Sequence, residues 1–113
     1  MAGQTGKLSV LVIEEYTMTR YMLLHYGFEK PTPEIMEAWK AWFGSIAERT
    51  VENGGFHGAA KAISGDGSKD LVMDMDCISG YTIIEAENIE EAEKIASENP
   101  FIAGIRVYEI VNH

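Results

Sequence analysis

A single cysteine, Cys77, is all that the chain's 113 residues contain, so no internal disulfide can hold the fold together. One thiol also matches a reducing compartment, and a cytoplasmic location is the expectation. Cys77 follows Asp74 and Asp76, the opposite of the electropositive setting that a reactive thiolate needs, and reads as a half-buried small residue rather than a nucleophile. Cations are scarce too: nine lysines and arginines face eighteen acids, a formal charge of −9, and the nine are scattered along the chain. A field of that sign repels phosphate backbones and anionic lipid, so neither nucleic acid nor a membrane is expected as a partner. Apolar runs are short, and the one nearest the start, Leu8 to Ile13, is too brief for a secretory or membrane segment. No His-x-x-x-His or Cys-x-x-Cys spacing exists, so no transition-metal site is expected, and no cofactor. Asp66, Asp70, Asp74 and Asp76 lack the alternate-position spacing of a calcium loop and read as solvated loop. Gly65-Asp66-Gly67 reads as a turn rather than a phosphate cradle.

What remains is the composition of one globular domain, 46% hydrophobic and 24% charged. Leu8 to Ile13 predicts a short buried strand, and Arg20 to Tyr26 a second one closed by Gly27 and the Pro31 to Pro33 turn. Thr32-Pro33-Glu34 starts a helix: a capping Thr, Pro where its missing N–H costs nothing, and an acid at the positive end. Ile35, Trp39, Trp42, Phe43, Ile46 and Val51 recur at helical spacing, which predicts a helix running to Asn53-Gly54. Strand character then follows over Gly55 to Ile63, a polar turn over Ser64 to Asp70, and a short edge strand over Leu71 to Met75. Gly80 to Ala86 predicts a central strand. Asn88 and Glu91 predict a capping box, Pro100 ends that helix, and Ile105 to Val111 is the last strand.

Residues 1–19 are thus an extension carrying a short strand, expected to add to a sheet edge, and residues 20–113 are the domain proper. Its order of strand, helix, strand, strand, helix, strand is the split pattern of an α+β, ferredoxin-like βαββαβ sheet. Both crossovers share one hand, so both helices cover the same face. Met22 and Leu24 alternate with Tyr21 and Leu23, and Ile83 with Ile84, so the strands are apolar on both sides. A second copy is the economical cover for the helix-free face, and a homodimer is the expectation.

The chemistry-bearing residues are few. His25 and His57 lie in strands and are the proton-transfer candidates, each against the competing reading of a histidine hydrogen-bonded within the fold. His113 is terminal. Arg106 and Tyr108 alternate with Ile105 and Val107, so a polar pair shares one face of the last strand, with Glu85 the expected partner of the arginine. Together with Tyr81, these residues form the expected small-molecule site in the cleft of the dimer. Trp39, Trp42 and Phe43 read as core that also lends ring surface to a pocket.

Taken in order, Arg20-Tyr21-Met22-Leu23-Leu24-His25-Tyr26-Gly27, the helix start from Pro33 to Trp39, Gly54-Gly55, Gly80 to Ala86, Glu90-Glu91-Ala92 and Asn99-Pro100 resemble the YCII-related family, in particular its DGPF-motif branch. The resemblance covers residues 20 to 111 and implies a dimeric α/β barrel whose two sheets face each other around a cleft. It also implies a protein that binds or processes a small, aromatic or lactone-like molecule. The proposed His–Asp dyad of enzyme-like members falls here on Phe43 and Asn99, which cannot move a proton or polarise an imidazole, and the Asp-Gly-Pro-Phe motif is absent. The alternative is a noncatalytic dimeric interaction or regulatory module with a filled cleft.

Overall fold

The computed structural model describes residues 18–111; the strand expected over Leu8 to Ile13 lies outside them. Strand β1, Thr19–Tyr26, alternates strictly, burying Tyr21, Leu23 and His25. Helix α1, Pro33–Ser45, starts where the cap chemistry puts it, with Thr32 accepting a hydrogen bond from the Ile35 N–H at 3.2 Å. It ends seven residues before Glu52, however, and β2 occupies Thr50–Gly55. Ile46, the last residue of the apolar stripe, is buried at the helix end, after which β-branched Thr50 and Val51 enter the sheet. The helical spacing of Val51 was therefore coincidental, and Gly54-Gly55 is strand rather than helix cap.

The segment from 56 to 77 also differs from its expected layout. Strands β3, Lys61–Ser64, and β4, Gly67–Asp70, form a two-residue-loop hairpin of their own, and Leu71 to Met75 is not a strand. Gly67, at φ +116°, supplies the backbone that the tight turn requires. Strand β5, Ile78–Ala86, and helix α2, Ile89–Ser97, follow the sequence pattern closely. Asn88 accepts from the Glu91 N–H at 2.9 Å, while the Glu91 carboxylate reaches back to the Glu87 N–H and grips Arg49 at 2.6 Å. Strand β6, Gly104–Glu109, closes the order β2-β5-β1-β6, antiparallel at every contact. An α+β chain with two helices on a mostly antiparallel sheet is consistent with a ferredoxin-like fold.

The core lies between this sheet and the helices: Tyr21, Leu23, Ile84 and Ala86 below, Trp42, Ile46, Ala92, Ile95 and Ala96 above. The Trp42 indole N–H donates to the Ile95 carbonyl at 3.1 Å, which ties α1 to α2 and satisfies a buried polar group. Leu23 and His25 thus belong to the helix-covered face, not to the helix-free one. Met22, Leu24, Ile83 and Glu85 take the other side, half-buried. Alternation predicts a sharp contrast between neighbours: Ile84→Ala should cost about 2–5 kcal/mol by leaving a core cavity. Glu85→Ala should cost less than about 1 kcal/mol. Urea unfolding of the two variants checks it, and a reversed ranking would put the helices on the wrong face.

Candidate functional site

The register across the sheet places His25 on β1 opposite Gly80 on β5, and Gly80 opposite Gly55 on β2. Three residues of one row therefore share the helix side, and two of them have no side chain. Glycine is obligatory at Gly80, where a Cβ would sit 2.8 Å from the Gly54 carbonyl oxygen. A bulge beside this row leaves Ser79 unpaired, and its hydroxyl donates to the His25 carbonyl at 3.2 Å. Above the bare stretch, α1 presents Trp39, Phe43 and Met36, and the β1–α1 loop contributes Phe28. The result is a pocket of about 450 Å³ with mostly apolar walls, within the size range of small-molecule sites.

The loop is held in place by backbone bonds from the Gly27 N–H to the Cys77 carbonyl at 2.8 Å and from the Phe28 N–H to the Asp74 carbonyl at 2.9 Å. Gly27 is required there: its φ is +91°, and a Cβ would lie 2.7 Å from that of Ala103. Phe28 then meets the exposed His57 ring edge-on, centroids 5.7 Å apart. Tyr81, next to Gly80 at the pocket floor, turns its side chain to the helix-free face of the sheet. Its ring lies against Gly54, where a Cβ would be 2.6 Å from a ring carbon, and stacks on Phe56 at 5.5 Å. Its hydroxyl donates to the Glu52 carboxylate, which pushes the phenol's pKa up and keeps the proton in place.

His25, His57 and Tyr81 all line this pocket, while Glu85, Arg106 and Tyr108 do not. His25 is 5% exposed, its Nε2 lies 2.9 Å from the Thr82 hydroxyl, and its ring sits edge-on to Trp39 at 5.0 Å and to Trp42 at 5.9 Å. Desolvation lowers its pKa from 6.5 to about 4, so the imidazole is neutral at physiological pH and a weak base. Its Nδ1 has no hydrogen-bond partner among the described residues. On the helix-free face, Arg106 does not meet Glu85. Arg106 is in register with Leu24 and Tyr81, whereas Glu85 is opposite Arg20, whose Nε lies 3.8 Å from its carboxylate. Arg106 instead lies over the Tyr26 ring at 4.9 Å and donates to the Tyr108 hydroxyl at 3.5 Å. Phe43 is a pocket wall, and Asn99 is 4% exposed with its side-chain amide unpaired among the described residues. Phe28 and the glycine row escaped the sequence reading. Their signal was the Gly54-Gly55 pair, which the helix pattern absorbed.

No group of three or more metal-ligating side chains occurs among the described residues, and no described helix is long and apolar enough to cross a membrane. No family model matches the chain, and neither does any curated protein sequence. Among solved structures, the chain is similar to 5-chloro-2-hydroxyhydroquinone dehydrochlorinase from Burkholderia phenoliruptrix AC1100, in complex with 2,5-dihydroxybenzoquinone. The TM-score is 0.54 at 15% identity, over 83% of this chain and 95% of that one. At that identity the likeness shows the fold.

The depressed His25 pKa fixes a pH dependence. Between pH 6.5 and about 4 the unfolded chain binds a proton at this residue that the folded chain refuses, so stability is full above pH 6.5 and falls as pH drops through that window. The loss attributable to His25 approaches about 3 kcal/mol at its lower end. Comparing chemical unfolding of wild type and His25→Gln from pH 7 to 4 isolates it; parallel curves would show that His25 titrates as it does in the unfolded chain.

Proposed function

We propose that this chain binds a small aromatic molecule in the pocket between α1 and the glycine-floored corner of the sheet. The observation that carries the reading is the pocket itself, open, mostly apolar and walled by Trp39, Phe43 and Phe28, at a place where the core could have been filled by side chains. An open pocket favours a binding or processing protein over an interaction module with a filled cleft. Its position differs from the expected one: it lies beside His25 and His57, and Arg106 and Tyr108 belong to another surface. Of the polar groups in reach, His57 is the exposed imidazole that can exchange a proton with a ligand, whereas His25 is a neutral, buried support for the aromatic wall. The dehydrochlorinase of similar fold acts on a small aromatic ring, which agrees with the size and lining of this pocket.

We also propose that the chain works as a YCII-like homodimer, a dimeric α/β barrel, in the cytoplasm. Support comes from the helix-free face, where Met22, Leu24 and Ile83 form an apolar centre that neither described helix covers, ringed by Tyr26, Arg106 and Tyr108.

Titration with neutral aromatics such as 2-naphthol and indole, read by calorimetry and thermal shift, tests the first part. At least one should bind and raise the melting temperature, and Trp39→Ala should weaken it tenfold or more, on the order of the 1–2 kcal/mol that a lost aromatic wall removes. Binding unaffected by Trp39→Ala would place the ligand elsewhere. In the same preparations, light scattering should give a dimer for wild type and a folded monomer for Ile83→Asp.

A further inference from the structure

We infer that the pocket selects against anions and prefers a protonated aromatic amine, an inference that rests on reading the pocket as a ligand site. Among the described residues, no lysine or arginine lines it. Lys30, next in the chain to two lining residues, is exposed and is not one of them. The acidic residue among those lining it is Glu29, which is exposed. On the opposite face of the sheet the Tyr81 hydroxyl donates a hydrogen bond to the Glu52 carboxylate, so it is committed to a negative partner and offers no donor to an anion in the pocket. His25 is held neutral by burial.

A carboxylate or phosphate entering such a space gives up its hydration with no lysine or arginine among the described lining residues to offset the loss, the exposed His57 imidazole being the one basic side chain it can reach, and faces the electron-rich rings of Trp39, Phe43 and Phe28. An ammonium gains on each count. It meets Glu29 at the rim, lies against ring faces that attract cations, and is drawn in by the charge of −9 that the whole chain carries. Arg106, a member of the site expected from the sequence, is engaged by Tyr26 and Tyr108 on the helix-free face and is not part of the pocket lining.

The test uses three probes of one shape: 2-naphthylmethylamine, 2-naphthalenemethanol and 2-naphthoate, each titrated by calorimetry into the full-length protein at neutral pH and low salt. The amine should bind roughly threefold to tenfold tighter than the alcohol, the scale of one exposed ion pair plus one cation–π contact, and the carboxylate weaker than the alcohol by about tenfold or more. Glu29→Gln should shrink the amine-to-alcohol ratio towards one. A carboxylate that binds as tightly as the amine, or a ratio indifferent to Glu29→Gln, overturns the inference while leaving the pocket reading in place. Failure of all three probes to bind overturns the pocket reading, and the charge preference with it.

Discussion

The architecture around the site turns on one steric constraint, the close approach of β2 to β5 at Gly54, Gly55 and Gly80. A Cβ at Gly80 would strike the Gly54 carbonyl oxygen, so Gly80 can carry no side chain, and Gly55 opposite it leaves the same side of the sheet bare, while Gly54 makes room for the Tyr81 ring on the other face. The consequence is a stretch of sheet that cannot fill the space beneath α1. Where the same helix passes over Leu23, Thr82 and Ile84, it packs to a closed core through Trp42 and Ile46. Where it passes over the glycines, Trp39 and Phe43 face an opening. One helix thus serves both a sealed core and an open cavity, and the change occurs within a single turn, between Trp42 and Trp39.

His25 marks the border between the two. A histidine there needs a polar neighbour, which Thr82 supplies across the strand pair, and burial under two indoles suppresses its charged form. That arrangement suits a residue that supports an aromatic wall and suits a general base poorly. His57, brought against Phe28 by the short segment after β2, is exposed instead. The sequence put both histidines in strands, but β2 ends at Gly55 and His57 lies in the segment beyond it, so which of the two faces solvent depends on where β2 begins and ends.

That dependence explains what was and was not legible in the sequence. The capped starts of α1 at Thr32 and of α2 at Asn88, the alternation of β1 and the β-branched run of β5 are local signals, and each element formed where its residues say. The end of α1 is a tertiary matter: Val51 continues the helical period, but the pairing of its neighbours Thr50 and Glu52 with β5 outweighs it, Val51 itself falling at a register irregularity. Misplacing that boundary hides the glycine row, since Gly54-Gly55 looks like a helix cap until Gly80 is set opposite. The assignment of Glu85 to Arg106 failed for a related reason. Both residues occupy the same face, but the antiparallel register sets Arg20, not Arg106, across from Glu85. Tyr81, His25 and His57 all border this pocket, but they entered the sequence reading through an argument about the other face of the sheet.

The central claim, that the glycine-floored corner is an open ligand pocket bordered by Trp39 and sealed from Trp42, is tested most directly by the two indole N–H resonances. In a titration with indole followed by proton–nitrogen correlation spectra, the Trp39 side-chain signal and the backbone amides of Gly55 and Phe28 should shift saturably, while the Trp42 side-chain signal, bonded to the Ile95 carbonyl, stays in place. Equal shifts of both tryptophans, or shifts centred on Arg106 and Tyr108, would contradict the account.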